Sequence, residues 1–552
     1  MNTFNALAKR WYRQLANVSL LDATLTFVLL LGIGLAALPG GELMHGLRHV
    51  GMQEDAMIGL RHLRNLLDGH GLTYNRGESG LGVTDPLFWV ASYLLVKPLT
   101  WILSTPDVVV LHFVACFTFL IAGIALFCFA RRGSERAASA AMMALFGVIF
   151  YWPLRFLYLG LEGPFMLCSV ATIGFLASRW SGRRDVVVCL LVGILSWNRP
   201  EIAIITLPSV LFYSLLLSDR SKGMRSSLAY LGGVLAVPLL LKIFTGSFMA
   251  GTVRAKSYFG NPSPPLSAQF FIDRLKYLDA FIGLGSGLAL LMLVIVFCIA
   301  IAGVVSFLRG PRTNMPWGSV YSAFVAGYSC FILVIPSLWE WYVTFWMAFA
   351  LVLLGSRLVD CIAWAGAGSS RVASYTAAFS ALLVAGSWML INRIEPREVE
   401  IAGWIGQDSA FRGKLSRDLA ERWHAKSVWM EAAGWQGYFN DARIFDEVGL
   451  VDDSTLPLAK KFGCSYFVSS VRVLKPEFII KRQFEVERNQ MLTPPKSCPN
   501  APLFSSDDDK LWFFAHYERV ETYQTEVPGY FGEYSLLDLY RLRKVGETLR
   551  VD

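Results

Sequence analysis

The sequence predicts a polytopic α-helical membrane protein that ends in a soluble α/β domain. Of its 552 residues, 54% are hydrophobic and 17% charged, whereas roughly a quarter of a soluble globular protein is charged. Apolar runs of about twenty residues, the length that crosses a bilayer, recur through the first two thirds of the chain. A polar stretch follows them. The basic residues are scattered at segment ends and form no patch with interleaved aromatics, so nothing indicates a nucleic-acid partner.

The first apolar run is predicted to be a retained span with a cytoplasmic N-terminus. Lys9, Arg10 and Arg13 precede it, and "ALPGG" at its end is a poor cleavage site for a signal peptidase. We expect about eleven spans, each near the length that a bilayer requires. They are 20–39, 107–130, 137–152, 163–179, 185–197, 201–218, 227–245, 281–308, 317–336, 341–359 and 372–391.

Clusters of basic residues predict the orientation of these spans. They lie in the loops 131–136, 179–185, 219–225 and 308–314, and eleven spans place every one of these loops in the cytoplasm. This count requires that the apolar stretch 86–104, broken by Lys97-Pro98, lies along the outer surface as a juxtamembrane helix. The short run 185–197 suggests a broken helix.

Three segments then fall on the outer side. They are a first loop at 40–106, a proline-rich loop at 246–280 and everything after about 393. The predicted division is a transmembrane domain, 1–392, and an extracytoplasmic α/β domain, 393–552, about the size of one domain. Within the latter, "CSYFVSSVRVL" and "LWFFAHYERV" resemble strands. We expect a multi-pass protein of the bacterial inner membrane.

Two of the nine cysteines lie in this polar region. Cys464 and Cys498 could pair outside the cytoplasm, although sequence alone does not fix their geometry. No Cys/His spacing typical of a metal site is present. No cofactor is assigned, and a requirement for a divalent cation stays open.

The first loop carries the clearest candidate for chemistry. Apolar residues recur at helical spacing at Met52, Ala56, Leu60, Leu63 and Leu67. Glu54 and Asp55 occupy the first turn of this amphipathic helix, where the helix dipole favours an ionised carboxylate that can accept a proton. Acidic residues also occur at helix N-termini simply as dipole partners, and spacing alone favours that structural interpretation.

Several motifs resemble those of GT-C glycosyltransferases, most closely the branch of the mycobacterial terminal β-arabinofuranosyltransferase. They are "EDAMIGLRHLRNLLDGHGLTYNRGES", "GVTDPLFW", "GLEGPF", "NRPE", "GTVRAKS" and "GYFNDARIFDEVGLVD", in order from residue 54 to 452. The resemblance implies a GT-C fold and transfer of a sugar, with inversion, from polyprenyl phosphate to a glycan, lipid or protein acceptor. It implies Asp55 as general base, with Glu54 beside it, and points to a pentofuranose.

The leaving phosphate needs fixed positive charge. The outer candidates are Lys256, Arg254, Arg61, Arg64 and His70, with Asn75 in the same loop motif. Lys256 is preferred because it lies in "GTVRAKS", although a lysine snorkelling at a span end is an equal alternative. We expect His70 to pack or bridge in its Gly-His-Gly turn rather than to ligate a metal.

Charged residues next to apolar segments are functional-site hypotheses because they are costly in lipid. Glu162, Arg199 and Glu201 are of this kind, and Glu162 could instead form a structural pair with Arg155. Tyr342 could contact sugar or lipid, but an aromatic belt at the membrane boundary is the favoured interpretation. In the tail, residues 440–453 form a pattern that fits a helix ending at Gly449.

A transporter or lipid flippase is the alternative function. It predicts internal repeats and ionisable residues at mid-membrane, whereas here the ionisable residues concentrate at the outer boundary. A receptor or assembly factor would not need so many spans.

Overall fold

A computed structural model describes the chain in segments. These are 54–78, 80–102, 107–130, 162–180, 184–259, 267–282, 287–335, single residues between 342 and 353, 410–431, 433–524 and 536–543. The predicted spans 20–39, 137–152 and 372–391 lie outside these residues, as does Arg155, and 341–359 is described only in part.

The described residues from 54 to 335 are mainly helical, as predicted. Its helices are α1 (Glu54–Leu67), α2 (Pro86–Val96), α3 (Val108–Ala130), α4 (Gly163–Trp180), α5 (Asp185–Leu195), α6 (Pro200–Leu215), α7 (Arg220–Thr245), α8 (Gly251–Tyr258), α9 (Ala268–Ile282), α10 (Leu288–Arg309) and α11 (Trp317–Val334). A 3₁₀ helix, Lys97–Trp101, continues α2 beyond the predicted break. Among the described residues, three helices are long and apolar enough to cross a membrane: Arg220–Thr245, Ala289–Arg309 and Trp317–Val334.

The helix bundle has one basic end. Lys222, at the start of α7, lies 3.0 Å from Asp185, at the start of α5. Its ammonium also donates to the Asn314 side chain at 2.7 Å, just beyond α10. In the middle of the bundle, Gly193 and Gly233 let α5 and α7 approach, since a Cβ on Gly193 would lie 3.1 Å from the Gly233 Cα. Helix α7 therefore runs from the basic end toward the loop that carries α8.

The C-terminal region is built on a mixed five-stranded sheet. Its strands are β1 (Ser427–Met430), β2 (Arg443–Asp446), β3 (Phe478–Arg482), β4 (Tyr517–Gln524) and β5 (Leu536–Leu542), in the order β2-β1-β3-β5-β4. Strand β1 pairs in parallel with β2 and β3, and β5 pairs antiparallel with β3 and β4. The helices around it are residues 410–421 (α12), α13 (Trp435–Tyr438), α14 (Thr455–Phe462), α15 (Tyr466–Leu474), α16 (Gln483–Arg488) and α17 (Asp507–His516). The expected small α/β domain is thus present.

Three local predictions in this region are wrong in whole or in part. In the strand-like run "LWFFAHYERV", residues 511–516 belong to helix α17 and strand β4 begins only at Tyr517. The strand-like run after Cys464 forms α15, because its buried residues, among them Phe467 and Val471, follow a helical period and Phe467 packs on Trp429. The predicted helix ending at Gly449 is strand β2 followed by a turn. Ile444 pairs with the neighbouring strand β1, and tertiary pairing of this kind overrides a local helical pattern.

Cys464 and Cys498 form a disulfide that joins the start of α15 to the loop before α17, with Cα atoms 5.7 Å apart. The pairing left open by the sequence is therefore made. A structural disulfide is typical of proteins outside the reducing cytoplasm.

Candidate functional site

The two acidic residues at the start of α1, Glu54 and Asp55, have different surroundings. The Glu54 carboxylate accepts hydrogen bonds from the backbone N–H groups of Gly434 at 2.6 Å and Trp435 at 3.2 Å, and Arg412 lies 3.9 Å from it. Asp55 is exposed, and its carboxylate makes no hydrogen bond or ion pair with any residue in the described segments. Glu54 thus anchors the C-terminal domain, and Asp55 is the member of the pair available to accept a proton.

Arg61 is buried between α1 and the C-terminal domain. Its guanidinium donates to the carbonyl oxygens of Tyr74 at 3.0 Å, of Ala442 at 2.8 Å and of Gly437. It also lies over the Tyr74 ring, 4.3 Å from the ring centroid. These contacts favour a structural role for Arg61, in which it holds α1 to the C-terminal domain, over the predicted contact with a phosphate. The polar face of α1 accordingly packs against protein rather than lying among lipid headgroups.

Arg64 also contacts the C-terminal domain, at a more exposed position than Arg61. It donates to the Tyr438 carbonyl at 2.7 Å and pairs with Asp441 at 3.2 Å. Arg76, from the same loop, reaches Asp441 at 3.3 Å. His70 is exposed in a turn in which the glycines on either side have positive φ, so of the two expected roles, packing and bridging, packing is not observed.

Asn75 extends the sheet at its β2 edge. The Asn75 amide donates to the Ile444 carbonyl at 2.9 Å and accepts from the Ile444 N–H at 2.9 Å. The side chain therefore pairs with β2 as the backbone of a neighbouring strand would. It gives hydrogen-bond partners to backbone groups at the edge of the sheet that would otherwise lack them. Glu78 beside it pairs with Arg443 at 2.5 Å. Asn75 has a positioning role in this geometry.

His62, which the sequence analysis did not single out, holds the first loop onto α1. Its Nδ1 lies 2.9 Å from the Ile58 carbonyl, and its Nε2 accepts from the Gly82 N–H at 3.1 Å. Burial lowers the pKa of His62 to about 4. The ring is therefore neutral at physiological pH, which fits one nitrogen donating and the other accepting.

Asp85 is a buried acid that the sequence analysis also passed over, although it lies in the quoted "GVTDPLFW". Its carboxylate accepts from the Trp89 indole at 3.2 Å. Burial raises the pKa of Asp85 well above its usual range, and the nearby Glu162 adds to the rise while Arg199 opposes it. An ionisable residue directly before an apolar segment was the available signal.

Helices α1 and α2 place Asp55 and Asp85 at the same level. A Cβ on Gly59 would overlap the Trp89 ring, so these two positions touch. Two turns further on, the Lys97 ammonium donates to the last carbonyl of α1 at 2.9 Å. The helices therefore run parallel, and each acid lies one turn before the contact between Gly59 and Trp89.

Behind Asp85 lies a buried ion-pair cluster. Arg199, at the start of α6, forms an ion pair with Glu162, at the start of α4, and lies 3.2 Å from Glu201. The Tyr342 and Phe345 rings each lie 5.2 Å from the guanidinium. The structure thus brings together four predicted site residues, and pairs Glu162 with Arg199. Two carboxylates share one guanidinium here, in a region where charge is costly.

Helix α8, the "GTVRAKS" motif, joins the first loop to the C-terminal domain. The Gly251 N–H donates to the Leu81 carbonyl at 2.7 Å, and Arg254 pairs with Asp453 at 2.9 Å. The Lys256 side chain is exposed and makes no hydrogen bond or ion pair with a residue of the described segments. Arg254 is engaged in docking, so Lys256 is the cation of this motif that remains for a ligand.

A pair of buried acids lies in the turn that meets the first loop. The Asp446 carboxylate accepts from the N–H groups of Leu450 and Val451, the latter at 3.3 Å, while its Oδ1 has no partner among the described residues. The Asp446 N–H in turn donates to Asp452 at 2.9 Å. Burial, and next the Asp452 charge, raise the pKa of Asp446 well above its usual range; burial raises that of Asp452 to about 6.

This pair makes the turn sensitive to pH. The pKa values are raised in the folded state, so the fold binds more protons than the unfolded chain and loses stability as pH rises from about 4 through about 6. We expect Asp446→Asn to flatten that loss, because its amide oxygen can accept the same N–H groups without charge. Amide exchange of residues 446–452 at pH 4.5 and 7.5 measures it, with substitution of an exposed acid of α17, Asp508→Asn, as control. An unchanged pH dependence in Asp446→Asn would contradict this account.

Among the residues that the structure describes, no group of three or more His, Cys, Asp or Glu side chains could hold a metal ion.

Comparison with known protein families gives a match over the C-terminal domain. Residues 398–540 match the model of a family described as a domain of unknown function, DUF8728. The match spans the sheet up to the middle of β5 and includes α13, which contacts α1. No curated protein matches the chain.

Proposed function

We propose that this chain is an inverting membrane glycosyltransferase of the GT-C type. It moves a sugar, with arabinofuranose as first candidate, from polyprenyl phosphate to a glycan, lipid or protein acceptor outside the cytoplasm. The observation that carries the proposal is the exposed Asp55 carboxylate, which has no hydrogen-bond or ion-pair partner among the described residues. A base without a competing partner is what attack by a hydroxyl requires.

The proposed reaction is a single displacement. Asp55 takes the proton of an acceptor hydroxyl while its oxygen forms a bond to the anomeric carbon. The bond between that carbon and the phosphate oxygen breaks, and polyprenyl phosphate leaves with the electron pair. Negative charge grows on the phosphate, so a fixed cation lowers the barrier. Lys256 is the preferred cation, because Arg61, Arg64 and Arg254 already hold groups of the C-terminal domain.

The contacts between segments support an outer location for this site. The first loop, α8 and the C-terminal domain touch one another, so we infer that they share one side of the membrane. The basic end formed around Lys222 lies at the other end of α7, and basic ends favour the cytoplasm. The disulfide favours an oxidising compartment for the C-terminal domain. We propose the bacterial inner membrane, about eleven spans, and an extracytoplasmic domain at 393–552.

The direct test is sugar transfer by the purified full chain in detergent. The donors are labelled polyprenyl-phosphate sugars, arabinofuranose and common hexoses, and the acceptor is the envelope fraction of cells that lack the protein. We expect a labelled product and one polyprenyl phosphate released per sugar transferred. The absence of transfer from every donor would reject the proposal.

The buried cluster of Arg199, Glu162 and Glu201 favours a lipid or solute transporter as the second candidate, since such clusters also line transport paths. Proteoliposomes that move a labelled polyprenyl-phosphate sugar across the bilayer, without any change in its mass, would support that alternative.

A further inference from the structure

The C-terminal end of α8 is held by a loop of the C-terminal domain. The backbone N–H of Lys496 donates to the Tyr258 carbonyl at 2.9 Å, and the Lys496 ammonium donates to the Lys256 carbonyl at 2.7 Å. Phe259, the residue after the helix, forms an antiparallel bridge with Pro495. The last turn of the helix that carries Lys256 therefore lies against this loop.

The disulfide closes around the same contact. Cys498 lies two residues beyond Lys496 and is bonded to Cys464. Tyr466, two residues after Cys464, packs on the Phe259 ring with centroids 5.3 Å apart, and both rings are buried. The segments on the two sides of the disulfide thus both contact the end of α8.

These contacts fix the backbone of Lys256 and leave its side chain exposed. The position of the ammonium therefore depends on where the helix end is held. The start of α8 has separate contacts, through Gly251 with the first loop and through Arg254 with Asp453. The disulfide joins residues 34 positions apart, and breaking such a cross-link gives the chain between them more conformational freedom.

We propose that the disulfide and Lys496 position Lys256 for a polyprenyl phosphate, so that donor binding depends on the oxidised state of the two cysteines. The inference rests on the proposed function, which assigns the phosphate contact to Lys256. A cation that is already held in place loses less conformational entropy on binding than one on a mobile helix end. Lys496 acts through the Lys256 carbonyl and is therefore a positioning residue.

The dependence on oxidation follows from thiol chemistry. Cys464 is exposed and Cys498 half-buried, so a small dithiol can reach the sulfur atoms. The dithiol gives up two electrons and two protons, the S–S bond breaks to two thiols, and the dithiol becomes a disulfide itself. A thiol–disulfide oxidoreductase in its disulfide form accepts the same electrons and protons when the bond is made again.

Reduction of the full chain in lipid nanodiscs tests the role of the disulfide. The readouts are amide exchange of residues 255–259 and the affinity for a labelled polyprenyl phosphate, and neither requires sugar transfer. We expect a dithiol to speed this exchange about tenfold and to weaken the binding about fivefold. The double variant Cys464→Ser/Cys498→Ser should show both changes without the dithiol and should not respond to it.

Substitutions at Lys496 test the second contact while the disulfide stays in place. Lys496→Met keeps the length of the side chain and removes the ammonium, and we expect about threefold to fivefold weaker binding of polyprenyl phosphate. Lys496→Arg retains a charged donor and should bind nearly as the wild type does. Lys510→Met removes an exposed lysine of α17 and is the matched control.

The outcomes separate this inference from the proposed function. Unchanged exchange of residues 255–259 on reduction, faster exchange with unchanged binding, or no binding by the wild type overturns the positioning role. Where reduction also exposes strands 427–430 and 443–446, Lys496→Met decides in its place, and binding equal to that of the wild type overturns the proposal. Weaker binding on reduction in a chain that transfers no sugar supports the positioning role and rejects the proposed function.

Discussion

Replacing Asp55 by asparagine is expected to lower sugar transfer by about 10²–10⁴-fold, the usual contribution of a general base. The amide keeps the shape of the side chain but cannot take the proton of the acceptor hydroxyl. The Asp55 side chain is exposed and has no partner in the segments that the structure describes, so the fold should lose little. Donor affinity should also stay near that of the wild type, because the base acts on the acceptor.

The control for this substitution lies on the same loop. Asp68→Asn removes another exposed carboxylate, whose nearest cation is Arg76 at 3.7 Å, and should leave transfer unchanged. Initial rates at saturating donor and acceptor, together with the dissociation constant of a labelled donor, separate chemistry from binding. Transfer by Asp55→Asn at the wild-type rate would eliminate this base and with it the main support for the proposed reaction.

The sequence was most informative where one physical effect dominates. Long apolar runs bounded by basic loops can only be satisfied by helices in a bilayer, and helices are found at α7, α10 and α11. The amphipathic spacing after Glu54 likewise predicts α1 well. Near Cys464, β-branched and aromatic residues favoured a strand, but packing against the sheet produces α15.

The roles of individual side chains were harder to predict, because they depend on contacts between distant segments. Arg61 bonds to a carbonyl 376 residues away in the chain, and no local pattern distinguishes that use from a phosphate contact. Asn75 illustrates the same limit, since its amide serves a strand edge that exists only after β2 has folded. Asp85 was overlooked because a single acid before proline has an ordinary meaning as a helix start.

A substitution at Arg61 separates its observed contacts from the predicted contact with the donor phosphate. Arg61→Met keeps the length of the side chain and removes the donors to three carbonyls, of Tyr74, Gly437 and Ala442. Leaving these buried oxygens without partners should cost on the order of 3–5 kcal/mol at the junction. We expect residues 435–442 to lose protection from amide exchange and sugar transfer to fall with it, because α1 is no longer held beside the C-terminal domain.

Arg76→Met is the matched control, since Arg76 is an exposed arginine of the same loop whose ion pairs reach only 3.3 and 3.7 Å. Surface pairs of this kind contribute about 0–1 kcal/mol, so protection and transfer should both persist. The opposite pattern for Arg61→Met would be normal protection of residues 435–442 with a weaker donor affinity. That result would indicate that Arg61 binds the donor phosphate. Glu54 and Arg64 would then be the residues that hold α1 against the C-terminal domain.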